Sequence, residues 1–487
     1  MSKWKEKIQE KYAALSVTKK SVIWYTMAMI IQNGILFLIT PLYTRILTDE
    51  EYGVFSVYQS WQQVFSIIAV LALDRCITVG FMKFQNQRKE FLSSVQALMT
   101  LFVFICIVLT CIFRDFFVKL TNLPIYIILT MSIVALMNNA LANWSWLQRY
   151  NYSYIKLAVV TVFSTAVMQA ATILAIIFLP SENKGNVLVM SMSVMRLLLY
   201  GVIFGSVFFN GKLIYKKEYW KFAFSYSITV VPHALAQIIL NSSDRIMIDK
   251  FCGRSDAAYY GVTYSAVMVL NTVMISVSSA VQPWFFEKIK QKDFVSIKRQ
   301  TNILLLMSAC LSVGVSIFAP EILGIMAPSS YRAALWVFPS VAASVFFNSM
   351  YLYFANFESY YEKPFYFSIA TTVGAITNIV LNYILIPIFG FVAAGYTTLF
   401  CYILFAAMHY FFMRKVCLEK LGGVKVFDIK RILGLSFVVL VLTFGVTISY
   451  GFMNIRYMFI TVGLLFFIIK HKFIKKEVEK IIKIKEY

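Results

Sequence analysis

The chain is a series of strongly apolar blocks separated by short polar connections. Each block has roughly 20 residues, which as an α-helix crosses about 30 Å of hydrocarbon. Because backbone groups in lipid must be hydrogen-bonded within their own segment, the blocks predict transmembrane helices. The fold class is therefore an all-α polytopic membrane protein. The predicted segments are 21–44, 54–82, 91–113, 124–147, 157–179, 187–209, 222–247, 261–286, 300–319, 333–356, 365–387, 391–413, 432–450 and 456–470, about fourteen in all.

Composition and charge support the same interpretation. Of 487 residues, 60% are hydrophobic and 14% charged, which excludes a string of ordinary soluble domains. The net charge of +22 is unevenly distributed: with a cytoplasmic N-terminus, 34 of the 45 Lys and Arg fall in inner connections and 9 in outer ones. This bias is the positive-inside pattern and predicts that both termini are cytoplasmic. It argues against nucleic acid as a partner.

The two ends of the chain are basic. Residues 1–20 carry apolar residues at helical spacing, which predicts either a cytoplasmic amphipathic leader at the membrane surface or a simple positive-inside anchor. No cleavable signal peptide is visible in this stretch. The seven cysteines show no CxxC spacing, so we expect no metal site and no cofactor.

An internal echo suggests two related lobes. Asn33 aligns with Asn241, and YGVFSVY at 52–58 aligns with YGVTYSA at 260–266, at one offset of 208 residues. Each echo opens a set of six segments, so the two sets share one orientation across the membrane. The predicted domains are the leader 1–20, an N-lobe 21–213, a C-lobe 214–413, and two extra helices with a basic tail at 414–487.

Three arginines lie within or beside the apolar segments. Arg75 is predicted near the inner end of its segment, Arg196 about midway, and Arg245 near the outer end. Charged residues at such positions normally face a cavity or a partner, so each arginine is either a substrate contact or a structural partner.

Arg75 and Arg245 each follow an aspartate. Because adjacent helical residues point about 100° apart, Asp74 and Arg75 are not expected to form one compact pair. The same holds for Asp244 and Arg245. Each Asp is expected to contact another helix, or alternatively to carry protons during transport.

Two histidines lie in apolar segments. His233 follows Pro232 in the seventh segment, and His409 lies towards the inner end of the twelfth. A histidine titrates near working pH, so His233 is a candidate for proton coupling. The alternative is a hydrogen-bonded structural histidine.

Amide side chains form a second candidate set. Gln32, Asn33, Gln62 and Asn143 have the chemistry of sugar contacts. The alternative, equally open, is hydrogen bonding between helices, which modestly stabilises membrane bundles.

Three motifs carry a resemblance to a known family. They are ITPLYTRILTDEEYGVFSVYQ (39–59), the SSDRIMI and YYGV echo, and LNYILIPIFGFVAAGYTTLF (381–400). In these the chain resembles polysaccharide flippases of the multidrug/oligosaccharidyl-lipid/polysaccharide exporter superfamily. The resemblance implies two six-helix lobes around a central cavity, with fourteen helices in all. It also implies a monomer in the bacterial cytoplasmic membrane that turns undecaprenyl-diphosphate-linked oligosaccharides from the inner to the outer leaflet, among membrane lipids and with a polysaccharide polymerase as partner.

The residues favour this activity independently. Arginine binds phosphate bidentately and stays charged, so Arg75, Arg196 and Arg245 are predicted to contact the diphosphate at successive depths. A multidrug cation antiporter and a lipid II-type precursor flippase remain alternatives. No long loop, nucleotide-binding motif or nucleophile elbow is visible, which argues against an enzyme. The sequence leaves ion or proton coupling open.

Overall fold

The protein consists of helices joined by short connections. The structure, a computed structural model, describes residues 16–452 together with Asn454, Arg456, Tyr457, Met458 and Thr461. The α-helices are α1 Val17–Ile46, α2 Asp49–Ile68, α3 Ile77–Lys83, α4 Arg88–Ile112, α5 Arg114–Thr121, α6 Ile125–Tyr150, α7 Tyr154–Phe178, α8 Lys184–Gly211, α9 Lys217–Phe251, α10 Arg254–Lys290, α11 Phe294–Ile317, α12 Ala319–Met326, α13 Phe338–Tyr360, α14 Pro364–Phe389, α15 Val392–Leu421 and α16 Ile429–Gly445. Short 3-10 turns cover Leu73–Cys76, Gln85–Gln87, Ser329–Val337 and Val446–Gly451.

The all-α membrane fold is confirmed. In the described part of the chain, twelve helices are long and apolar enough to cross a membrane, and a bent pair raises the number to thirteen. The predicted number of about fourteen is close. Most of the last predicted segment, 456–470, lies outside the described residues, as do the basic tail and residues 1–15 of the predicted leader.

Large apolar side chains on the helix surfaces agree with a lipid environment. Phe209 is 82% exposed, Ile448 78% and Phe178 75%. Contiguous apolar surface of this kind is rare on a monomeric soluble protein. In a bilayer these side chains face hydrocarbon.

The second predicted segment is not the continuous helix that the sequence suggests. Helix α2 ends at Ile68, and the chain then bends by 57° before it continues through a 3-10 turn into α3. Leu71 and Ala72 adopt positive φ angles of 53° and 50° at the bend. The predicted segment 54–82 is therefore a bent span instead of one straight helix, and because neither residue at the bend is a Gly or Pro, the sequence carries no local signal of the break.

Side-chain caps begin several of the helices. Thr48 and Glu51 form a reciprocal capping box at the start of α2, and Asn183 accepts the backbone N–H of residue 186 at the start of α8. Asp293 and Asp428 cap α11 and α16 in the same way. These caps satisfy amide groups that have no partner within the helix, so the connections can be short.

The chain forms two compact units, Met1–Ile238 and Ile239–Tyr487, and the boundary between them lies inside α9. In the first unit a core of buried residues joins α4, α6 and α8 around Phe91 and Met99. In the second unit α13 is central, with 89% of its most apolar stretch buried. The predicted lobes, 21–213 and 214–413, stay a prediction, because the two compact units are defined by contacts and the lobes by the internal repeat.

Candidate functional site

The second unit holds a buried carboxylate surrounded by neutral donors. Asp244 on α9 is 1% exposed. Its Oδ1 accepts hydrogen bonds from the amide nitrogens of Asn382, at 2.6 Å, and Asn378, at 3.2 Å. Its Oδ2 accepts from the hydroxyl groups of Tyr260, at 2.5 Å, and Thr398, at 2.6 Å. We call these five residues the Asp244 cluster. It draws side chains from α9, α10, α14 and α15.

Helical spacing places the donors of the Asp244 cluster. Asn378 and Asn382 are four residues apart on α14 and therefore lie on one face. The amide of Asn382 also donates to the Asn378 side-chain oxygen at 3.2 Å, and its own oxygen accepts from Thr397. The Ser243 hydroxyl donates to the same Asn378 oxygen at 2.7 Å. The network fixes the orientation of both amides.

The neighbouring cation does not neutralise this carboxylate. Arg245 is 5% exposed, and its guanidinium lies 5.2 Å from the centre of the Tyr264 ring, a cation–π contact. The partners of the Asp244 carboxyl group are therefore neutral hydrogen-bond donors. As predicted, Asp244 and Arg245 do not form one compact pair in the described part of the chain.

The Asp244 cluster and its neighbour Thr397 bring together several oxygen atoms, of which the hydroxyl groups donate and the carboxylate and amide oxygens accept. One carboxylate, two amide oxygens and two threonine hydroxyls on α15 lie within a single hydrogen-bonded network. Oxygen donors of this kind suit hard cations, and a buried carboxylate can alternatively take up a proton.

In the first unit Arg196 lies near the middle of α8. It is half-buried beside the hydroxyl of Tyr58, which is also 3.3 Å from the Ser193 hydroxyl. The Tyr43 hydroxyl lies within the field of the same guanidinium and donates to Gln169 at 2.5 Å. Within the described residues no carboxylate lies within 4.0 Å of Arg196. Among the described residues, the polar groups beside it are the hydroxyl groups of these tyrosines.

Asp74 and Arg75 contradict the expectation drawn from helical geometry. The Arg75 Nε lies 3.3 Å from the Asp74 Oδ2, so adjacent residues pair after all. Both residues lie in the 3-10 turn that follows α2, and the long Arg75 side chain bends back to reach its neighbour. Arg75 is largely exposed, and its charge acts on His233 of α9. The buried Nδ1 of His233 has no hydrogen-bond partner among the residues that the structure describes.

The predicted amide residues lie in different surroundings. The Gln32 amide donates to Thr161 and Thr165 of α7, at 3.1 Å each, so it joins two helices. Gln62 and Asn143 are buried, and their side-chain oxygens have no hydrogen-bond partner in the described part of the chain. Asn33 is half-buried without a hydrogen bond to any described residue. The structure does not bring these four side chains to one point.

A second buried ionisable pair lies in the second unit. His409 Nδ1 is 2.8 Å and 3.0 Å from the two carboxylate oxygens of Glu358, and both side chains are 0% exposed. The Nε2 atom of His409 is buried without a partner. Aromatic rings surround the imidazole: Tyr351, Phe367, Phe405 and Phe412.

Sequence reasoning did not identify the partners of Asp244 or the role of Glu358. A signal for the first was present: two asparagines one turn apart in NIVLN and the TT pair at 397–398 interrupt apolar segments. Polar residues at such positions are rare and usually serve other helices or a site. Nothing local to Glu358 marks it as the partner of a residue 51 positions away.

Comparison with known proteins gives the family. The family described as "Polysaccharide biosynthesis protein" matches residues 18–288, and the family described as MatE matches residues 229–384. The uncharacterized membrane protein MJ1068 of Methanocaldococcus jannaschii is 24% identical over 439 residues, which cover 82% of this chain and 84% of that protein.

Solved structures agree in fold. The lipid II flippase MurJ in an inward closed conformation superposes with a TM-score of 0.71 at 14% identity, over 94% of this chain and 99% of that one. An inward-facing multidrug resistance MATE family transporter of the MOP superfamily gives a TM-score of 0.58 at 10% identity, over 83% of this chain and 100% of that one. Identity this low establishes the fold alone. The match over more than half of the chain establishes the family, and the protein is a multi-pass membrane protein of the polysaccharide biosynthesis protein family.

Proposed function

We propose that this chain turns undecaprenyl-diphosphate-linked oligosaccharide from the inner to the outer leaflet by alternating access, as a step in surface polysaccharide assembly. The observation that carries the proposal is Arg196, a guanidinium in the middle of a span with no carboxylate within 4.0 Å in the described residues. A cation at that depth calls for an anionic partner. A diphosphate supplies one in the bidentate geometry that arginine favours.

The other predicted substrate contacts contribute less to binding in this proposal. Arg75 is paired with Asp74, and Arg245 is stacked on Tyr264, so each has a protein partner that competes with substrate. We therefore expect both to assist the diphosphate less than Arg196 does. Sugar contacts are assigned to amide groups, of which Asn33 is the one with no partner in the described protein.

Two alternatives have specific support. The resemblance in fold to MurJ favours a lipid II-type precursor, which is also a lipid-linked diphosphate. The MatE match over 229–384 favours a multidrug cation antiporter. A cationic drug would be repelled by Arg196, which is why we rank the antiporter below the flippases.

Coupling to a small cation is part of the proposal. The Asp244 cluster is the candidate site, because its carboxyl group is buried and contacts neutral donors. The cation is either a proton or a hard metal ion. Asp74 and His233, which lie close to Arg75, are the weaker candidates.

The cellular setting follows from the same proposal. We place the protein as a monomer in the bacterial cytoplasmic membrane with both termini inside, beside a polysaccharide polymerase that uses the flipped product. Transport rather than catalysis is its role. Removal of the protein should leave lipid-diphosphate oligosaccharide at the inner leaflet.

The test is flipping in proteoliposomes, with rates divided by the amount of folded protein. Arg196→Ala should lower the rate for undecaprenyl-diphosphate oligosaccharide at least about 100-fold, since two charge-assisted hydrogen bonds of about 1.5–3 kcal/mol each are lost. Arg196→Lys should keep part of the activity, because charge remains without the fork. Arg114→Ala, at an exposed arginine of the same unit, is the matched control and should transport normally.

The same vesicles test which substrate the protein transports. Lipid II and a cationic dye are offered alongside the oligosaccharide. Faster flipping of lipid II would favour the precursor alternative, and cation-driven dye export would favour the antiporter. Unchanged flipping in Arg196→Ala would refute the assignment of this arginine to the diphosphate.

A further inference from the structure

A small polar cavity lies at one end of the first unit, where α4 and α7 begin and α6 and α8 end. Its volume is about 240 Å³. Two lysines, Lys89 and Lys156, line it together with the amide side chains of Gln148, Asn151 and Asn210. None of the described residues that line this cavity carries a carboxylate. The positive-inside pattern places this end of the helices on the cytoplasmic side.

The side chain of Gln148, which lines the cavity, has no hydrogen-bond partner among the described residues. Its side chain is only 7% exposed, yet it makes no hydrogen bond to another described residue. A buried amide that remains unpaired costs free energy, and such groups are normally satisfied by protein, water or ligand. Because Gln148 lines the cavity, its missing partner must come from whatever occupies that space.

The walls of the cavity are fixed by close packing. A side chain at Gly211 would collide with Ser93 and with the backbone oxygen of Lys89, so α8 ends directly against the first turn of α4. On the other side the Lys156 ammonium lies 5.7 Å from the centre of the buried Trp144 ring. The backbone of Lys89 and the ammonium group of Lys156 are therefore positioned beside the cavity by contacts that do not need a ligand.

Two helix N-termini add to the positive potential. The residues before α4 and α7, Gln87 and Ser153, make no side-chain cap, so amide groups of both first turns remain available. The N-terminal end of a helix carries a partial positive charge and attracts anions. Together with Lys89 and Lys156 these ends make the cavity a positively charged, hydrogen-bond-donating site.

We propose that this cavity binds a single phosphate group, as found in the headgroup of an anionic phospholipid or in a soluble phosphate ester. The volume lies below the roughly 300–1,000 Å³ of sites that enclose drug-sized ligands, which favours one compact anion over an oligosaccharide. Basic pockets between transmembrane helices on the cytoplasmic side have the chemistry that holds anionic headgroups. This site goes beyond the proposed transport and does not depend on it.

The test uses the purified full-length protein in uncharged detergent. Dihexanoyl phosphatidylglycerol, dihexanoyl phosphatidylcholine and inorganic phosphate are titrated separately, and binding is read from native mass spectrometry and from the shift in melting temperature. We expect one tight phosphatidylglycerol, one tight inorganic phosphate, or both, and no comparable effect of the zwitterionic lipid. The first two arms separate a lipid headgroup from a free phosphate as the source.

Charge removal at the cavity should weaken binding specifically. Lys89→Gln with Lys156→Gln should lower the affinity about 30-fold, a factor of about five for each lysine. Lys217→Gln with Lys221→Gln, two exposed lysines on the first turns of α9, removes the same charge at the same end of the helices and should change affinity less than about twofold. Equal losses in the two double variants would overturn the proposal.

A neutral substitution separates binding from folding. Gln148→Leu should raise the melting temperature of the ligand-free protein, because it removes an unpaired buried amide, while lowering phosphate affinity several-fold. A purely structural Gln148 would give the opposite pattern, with lower stability and unchanged affinity. That pattern, or the absence of any tight phosphate binding to the wild type, would refute the site.

Discussion

Removing one member of the Glu358–His409 pair should destabilise the protein more than removing both. Both side chains are fully buried, and the imidazole Nδ1 lies within 3.0 Å of both carboxylate oxygens. Loss of one partner leaves a buried group without its counterpart, which typically costs about 3–5 kcal/mol. Replacement of both by apolar residues of similar size is often nearly neutral.

The perturbation is a double-mutant cycle. Glu358→Leu and His409→Phe should each lower the free energy of unfolding by about 3–5 kcal/mol. The double variant should lower the free energy of unfolding by at most about 2 kcal/mol, because leucine and phenylalanine fit among the aromatic rings and leave no unpaired polar atom. The remaining cost is a small packing strain. The coupling free energy between the two sites is then several kcal/mol.

The assay is reversible unfolding in mixed micelles, followed by tryptophan fluorescence. A control is available nearby, since Lys363 and Glu419 form an ion pair at 3.5 Å with side chains 36% and 38% exposed. A cycle on that pair should give a coupling of about 0–1 kcal/mol, as for surface ion pairs in general. If Glu358 and His409 gave an equally small coupling, or if their single costs simply added, the pair would not be a buried unit.

Three further predictions follow from the described contacts. Asp244→Asn should destabilise the second unit by about 1–3 kcal/mol, because an amide N–H₂ then faces groups that donate, and normal unfolding would contradict the network. In a variant without native cysteines, a cysteine introduced at Asn183 should react with an impermeant thiol reagent from outside, and a cysteine introduced at Gln291 should not. External labelling at Gln291 would contradict the predicted topology. Hydrogen bonds from Ser296 lower the pKa of Asp293 below 3.8. The cap formed by the Asp293 carboxylate therefore stabilises α11 fully above that pH, and this stabilisation is lost as the pH falls through the lowered pKa. Asp293→Ala should therefore cost about 1 kcal/mol near pH 7 and progressively less in acid, measured by unfolding; a cost that does not change with pH would argue against a charged cap.

The sequence by itself determined the membrane class, nearly all of the spans and the positions of the rare charges. The reason is that lipid imposes one requirement on every segment, internal hydrogen bonding over a fixed thickness, and a run of apolar residues meets it without reference to the rest of the chain. Arg196 could be found for the same reason, because a charge in an apolar run is visible locally. Its surroundings of hydroxyl groups could not.

Only the tertiary structure decided which side chains meet. The break at Leu71 and Ala72 is imposed by packing, since neither residue favours a positive φ on its own, and the pairing of Asp74 with Arg75 depends on how the long arginine side chain turns. Asp244 receives its hydrogen bonds from three other helices, with partners up to 154 positions away along the chain. A polar residue in an apolar segment shows locally that a partner is needed, but the identity of that partner depends on how the helices pack.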